Sequence, residues 1–159
     1  MPISAGQQAP DFTLLADSGE PLSLSSLRGN WVILYAYPKD HTPGCTTEAC
    51  EFRDGFPRFK GTNTVVLGIS PDSVESHRKF KADYSLPFTL LSDPDKVALA
   101  AYDVWQEKTN YGRKYMGVVR TTFLIDPEGR IAHVFKNVKP AGHAEQVARV
   151  IAESATKAS

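Results

Sequence analysis

Cysteine is scarce in this chain: Cys45 and Cys50 are its two thiols among 159 residues. Two thiols cannot build the disulfide framework of a small secreted domain. An excess of one charge is also missing. The 18 basic residues balance the 18 acidic ones, which argues against the one-signed surface that nucleic acid or an anionic membrane requires. No apolar run approaches the roughly 20 residues of a membrane span. The opening Met1–Pro10 lacks the basic and apolar regions of a signal peptide, so a cytoplasmic protein is expected. His41, His77, His133 and His143 are scattered without metal-ligand spacing, and no metal is expected. Repeats, low-complexity segments and a composition break are lacking as well. One domain over 1–159 is expected, large enough for a sizeable core.

What is present is an alternation of strand and helix signals. Phe12 and Leu14, then Leu22 and Leu24, flank the turn Asp17-Ser18-Gly19-Glu20 and predict an N-terminal hairpin. A single helical turn closed by Gly29 follows. Trp31–Tyr37 is almost continuously apolar, as a central strand covered on both faces requires. Thr46–Phe59 carries Ala49, Phe52, Phe56 and Phe59, the last three at helical spacing, with a break or kink expected at Gly55-Phe56-Pro57. Thr64–Ser70 predicts a second buried strand, and Pro71-Asp72-Ser73 starts a basic, exposed helix over Val74–Tyr84. A short strand at Phe88–Leu91 leads to a helix over Lys96–Tyr102. Val104–Met116 has no clear period and reads as a loop with a short strand at its end. Val118–Ile125 and Ile131–Phe135 predict paired strands about the turn Asp126-Pro127-Glu128-Gly129. Gly142–Ala155 predicts the last helix, with Lys157, Ala158 and Ser159 expected to fray. The class is α/β: a central mixed sheet flanked by helices on both faces.

Both thiols lie in one stretch, Tyr37–Asp54, where the central strand hands over to a helix. A thiol near a helix N-terminus sits by unpaired backbone N–H groups and the positive end of the dipole, which favour the reactive thiolate. Gly44 permits close approach of a ligand. Thr42 can present a hydroxyl to the same pocket, and Pro38 and Pro43 stiffen the loop. On a continuous helix, positions five apart have Cα atoms roughly 8–9 Å apart, whereas a disulfide needs about 4.4–6.8 Å. If the two thiols react with each other, the first turns must unwind. A thioredoxin-type oxidoreductase would require Cys-x-x-Cys, and the spacing here is wider. A metal module of Cys45, Cys50 and His41 would need one tetrahedral ion to reach thiols on different parts of a helix.

Pro38-x-x-x-Thr42-x-x-Cys45 resembles the active-site signature of the peroxiredoxins. The longer run from Tyr37 through Arg53-Asp54 is similar to the bacterioferritin comigratory protein, or peroxiredoxin Q, subfamily. The similarity continues through Gly68-Ile69-Ser70, Leu90–Asp93, Tyr111–Gly117 and Arg120–Asp126. The resemblance implies a thioredoxin-like fold with an N-terminal hairpin extension. It implies a thiol peroxidase acting on hydrogen peroxide and organic hydroperoxides, without a cofactor and recycled by thioredoxin or a similar dithiol. Cys45 matches the peroxidatic cysteine and Thr42 the threonine that hydrogen-bonds peroxide. Arg120 matches the arginine that stabilises the thiolate, Pro38 the proline that shields the sulfur, and Glu48 the acid that orients the arginine. Cys50 matches the resolving cysteine of members that carry one in this helix, which would form an intramolecular Cys45–Cys50 disulfide. A monomer is expected. His41 falls at a variable place of the signature and reads as a solvated loop residue.

Overall fold

The computed structural model describes residues 3–158. Its central sheet has seven strands: β1 (Thr13–Ala16), β2 (Pro21–Ser23), β3 (Trp31–Ala36), β4 (Thr64–Ser70), β5 (Thr89–Ser92), β8 (Thr121–Ile125) and β9 (Ile131–Phe135), in the order β2-β1-β5-β4-β3-β8-β9. β3, β4 and β5 run parallel, joined by the crossover helices α1 (Pro43–Gly61) and α2 (Val74–Tyr84). β1, β8 and β9 complete the sheet in antiparallel fashion. The sheet is mixed, as the sequence predicts. The N-terminal hairpin is not separate from it, because β1 pairs with β5.

Successive side chains of β3 point to opposite faces, and each face has its own core. Val32, Leu34 and Ala36 join Leu67, Ile69, Phe123 and Ile125 under α3 (Val97–Ala101) and the N-terminal segment. Ile33 and Tyr35 join Val66, Leu90 and Leu124 under α1, α2 and α4 (His143–Ala158). Three helices therefore cover one face and one short helix the other. Asp93 starts α3 by accepting the backbone N–H groups of Val97 and Leu99, at 3.1 and 2.8 Å. Of the tail expected to fray, Ser159 lies outside the described residues, and α4 continues through Ala158.

Three expectations need correction. First, α1 does not break at Gly55-Phe56-Pro57; it is continuous from Pro43 to Gly61 with Pro57 inside. A proline in a helix interior costs about 3 kcal/mol, and burying Phe52 and Phe59, both essentially inaccessible, returns roughly 1.5–3 kcal/mol each. Second, Val104–Met116 is not a loop with only a short strand at its end. It forms most of the two-stranded ribbon β6 (Trp105–Asn110) and β7 (Arg113–Val118), turned by Tyr111 and Gly112 at φ 52° and 78°. Two positive φ values are what a two-residue hairpin turn needs. β7 is mostly exposed, so no buried face imposes a period on its sequence. Third, the strand expected over Val118–Ile125 is interrupted at 119–120. Arg120 consequently sits at a corner rather than within a strand.

Candidate active site

Pro38 ends the run of β3, and Thr42 caps α1 with extended backbone, φ −77° and ψ 152°. Pro43 opens the helix, where its missing N–H costs nothing. Cys45 then falls in the first turn of α1 and is 1% exposed. Glu48, three residues further on in the next turn, lies on the buried side of the helix.

The corner between β7 and β8 aims Arg120 at this turn. Its Nη2 donates to the sulfur of Cys45 at 3.2 Å, and its Nη1 donates to Glu48 Oε1 at 2.7 Å. The corner is itself held, since the N–H of Val138 donates to the Arg120 carbonyl at 3.0 Å. Gly44 admits the guanidinium: a Cβ there would meet Arg120 Nη2 at 3.3 Å and Pro140 Cγ at 3.4 Å. Burial pulls Arg120 towards losing its proton, but the Glu48 carboxylate and then Cys45 outweigh this and raise its pKa, so it stays cationic. Glu48 is 1% exposed, and its Oε2 has no partner among the described residues. Burial raises Glu48 to about 7, against the opposing pull of Arg120.

Cys45, Glu48 and Arg120 are thus brought into direct contact. Thr42 is half-buried at the N-cap, and its hydroxyl donates to the Lys39 carbonyl at 2.8 Å instead of turning to the sulfur. That donation leaves the oxygen lone pairs free to accept a hydrogen bond from a bound ligand. Pro38 is half-buried at the start of the loop. Cys45 and Cys50 are both free thiols, Cys50 half-buried one turn further along the continuous helix.

Several participants were not visible in the sequence. Pro140 closes over Gly44. Glu51 Oε1 accepts the N–H of Gly142 at 2.8 Å, tying α1 to the start of α4. The hydroxyl of Tyr35 is buried without a partner among the described residues, and burial, then the charges of Glu48 and Cys45, oppose its ionisation. His77 is completely buried. Its Nδ1 donates to Asp40 Oδ2 at 2.7 Å, and its Nε2 lies 2.9 Å from the Leu91 carbonyl. α2 is therefore not simply an exposed helix, as its composition suggests. Asp40, Asp72 and His77 place ligand-type atoms within 4.8 Å of one another, but both nitrogens of His77 are already committed to hydrogen bonds. A backbone signal for any of these is lacking, because each depends on a partner far away in sequence.

Among the described residues no helix is long and apolar enough to cross a membrane. A model of the AhpC/TSA family matches residues 5–134. Peroxiredoxin Bcp of Bacillus subtilis is 46% identical over 157 residues, covering 99% of this chain and 100% of that protein. The bcp protein of Coxiella burnetii is 55% identical over 147 residues, covering 92% and 97%. The bacterioferritin comigratory protein of Xanthomonas campestris, solved as trapped-intermediate and ligand complexes that bear on its alkyl peroxide reduction activity, superposes with a TM-score of 0.90 at 38% identity, over 96% of this chain and 99% of that one. With the family model, the near full-length relatives and the superposed fold in agreement, this chain belongs to the AhpC/TSA family and, within it, to the peroxiredoxins of the Bcp or Q type, with their thioredoxin-like fold.

Proposed function

We propose that this peroxiredoxin reduces hydrogen peroxide and organic hydroperoxides at Cys45. The observation that carries the reading is the single guanidinium of Arg120 that touches both the Cys45 sulfur, at 3.2 Å, and Glu48. The thiolate attacks the nearer peroxide oxygen, and the O–O bond breaks. Sulfur is oxidised to sulfenic acid, and the other oxygen leaves as hydroxide or alkoxide and takes up a proton. Negative charge moves from sulfur towards the departing oxygen, and a fixed cation beside both positions stabilises it without reorganisation. The Thr42 oxygen accepts the peroxide O–H and holds it in line with the sulfur. Pro38 shields the sulfur, and Glu48 orients the arginine.

Cys50 then resolves the intermediate: its thiol condenses with the sulfenic acid, releasing water and leaving a Cys45–Cys50 disulfide. The continuous helix supports this order of events, since it keeps the thiols apart until α1 unwinds. Thioredoxin or a similar dithiol restores both thiols by exchange. The protein works as a single-domain monomer in the cytoplasm.

The reading is tested by peroxide consumption coupled to thioredoxin and its reductase, with mass spectrometry after one equivalent of peroxide. An intramolecular Cys45–Cys50 link is expected. An intermolecular Cys45–Cys45 link, or full turnover by Cys45→Ser, would overturn it.

A further inference from the structure

His41 sits in the loop between β3 and α1, immediately before Thr42, with φ at +66°. A residue with a Cβ adopts that conformation only at a cost. Its side chain is 34% exposed and is committed to α2. Nε2 donates to Asp83 Oδ2 at 2.9 Å, and the ring packs on Phe80 with centroids 5.0 Å apart and beside Tyr84 at 6.3 Å. The hydrogen bond from His41 is the main influence holding Asp83 below its usual carboxylate range, with Lys79 at 3.4 Å adding to it.

The residue before it is fastened to the same helix. Asp40 accepts from Ser76 Oγ at 2.8 Å and from His77 Nδ1 at 2.7 Å, and its backbone N–H donates to Asp72 Oδ2 at 2.8 Å. On the far side, Arg53 Nη1 of α1 donates to the Tyr84 carbonyl at 2.8 Å. Between these fastenings lie residues 42–52, which include both cysteines.

We infer that His41 is a positioning residue: through Asp83 and Phe80 it holds the chain entering Thr42 and Cys45 against α2, so that unwinding on oxidation is confined to residues 42–52. The inference rests on the Cys45–Cys50 disulfide step proposed above. α2 is then the fixed wall of the transition. The loop that presents Thr42 keeps its place while the helix after it opens, and it is ready for the next peroxide when the helix closes. The ion pair is partly exposed, and such pairs are worth little by themselves. Its effect comes from acting beside the anchored Asp40 and at a residue held in a costly backbone conformation.

The test uses the full chain with His41→Ala, His41→Gly, Asp83→Asn, Asp83→Glu and the double variant His41→Ala/Asp83→Asn. Rapid-quench mass spectrometry separates sulfenate formation from disulfide formation. Backbone amide exchange maps the reduced and oxidised forms. In the wild type, oxidation raises exchange within 42–52 and leaves 37–41 and 74–84 protected. In His41→Ala, exchange rises in 37–41 even when reduced, and sulfenate formation slows roughly fivefold, the upper end of what a surface pair supplies, while the later condensation keeps its rate. Asp83→Asn behaves alike, the double variant is no worse than either, and Asp83→Glu recovers. His41→Gly tolerates the left-handed backbone but lacks the ring, so it matches His41→Ala. Unchanged exchange in 37–41 for His41→Ala, or wild-type behaviour of His41→Gly, would overturn the inference. Absence of a Cys45–Cys50 disulfide in the wild type would instead overturn the reading it rests on, and the reduced-state exchange of His41→Ala still decides the positioning role.

Discussion

Asp40 and Glu48 are both buried carboxylates, and they flank the turn that carries Cys45, yet their surroundings differ. Asp40 takes the Tyr37 hydroxyl on one oxygen, at 2.6 Å, and Ser76 and His77 on the other. Burial pushes its pKa up, but the hydrogen bond from His77 and the others outweigh that and hold it below the usual range. Glu48 meets Arg120 through Oε1 alone and leaves Oε2 unpartnered among the described residues. Burial dominates there and lifts it to about 7. A satisfied polar cluster rigidifies a fold, and a partly satisfied one keeps unused capacity. The first cluster anchors the loop. The second faces the sulfur, where charge has to move.

The largest expected effect lies at the sulfur. Cys45→Ser abolishes peroxide consumption in the coupled assay, while Cys50→Ser keeps the first step and lets the sulfenic acid persist, as trapping with dimedone will report. Breaking the anchor comes next. Asp40→Ala leaves the Tyr37, Ser76 and His77 side chains without their shared acceptor, and each buried polar group left unsatisfied costs about 1–3 kcal/mol, measurable by urea unfolding. Because the Asp40 pKa is lowered, its contribution is present above the ordinary carboxylate range and is lost as pH falls through the depressed value; Asp40→Ala removes that acid-side dependence.

Arg120→Ala should slow sulfenate formation by about 10²–10³, the loss typical of one charge-stabilising donor, and should cost less stability than Asp40→Ala, because Glu48, already raised to about 7 by burial, can neutralise by taking up a proton. If it costs more stability than Asp40→Ala, the contrast between an anchor and a working cluster fails. Glu48→Gln is the mildest and the most diagnostic. Between the ordinary 4.5 and about 7 the folded protein holds a proton on Glu48 that the unfolded chain has released. The stability linked to it is fully present below that window and is lost as pH rises through about 7. For activity the sign is opposite: as pH falls through about 7, Glu48 loses its charge and its grip on Arg120, and the peroxide rate drops. Glu48→Gln flattens both profiles, as rate and unfolding series over pH 4–8 will show.

Much of the fold is legible in local pattern. The apolar run of β3 and the Ser73 start of α2, whose hydroxyl accepts the Ser76 N–H, are set by neighbours in the chain. The ribbon β6–β7 was not legible, because a solvent-exposed hairpin needs no buried period and its turn uses Tyr111-Gly112. The continuity of α1 was also hidden, since long-range burial of Phe52 and Phe59 overrides the local penalty at Pro57. His41, read as a solvated loop residue, is bound to Asp83 across α2, a contact that no spacing announces.

By itself the sequence determined the setting of the thiol: a proline-stiffened loop, a hydroxyl at Thr42 and a cysteine near a helix N-terminus, all within one short stretch whose geometry follows from local backbone rules. Only the tertiary structure decided what that thiol faces. Arg120 arrives at the corner between β7 and β8, beside the catalytic turn, and α2 supplies the anchors for Asp40 and His41. These partners are distant in sequence and come together because the sheet places β8 beside β3 and the crossover places α2 beside the loop. The energy of such contacts resides in desolvation and charge pairing across the fold, which local sequence does not encode.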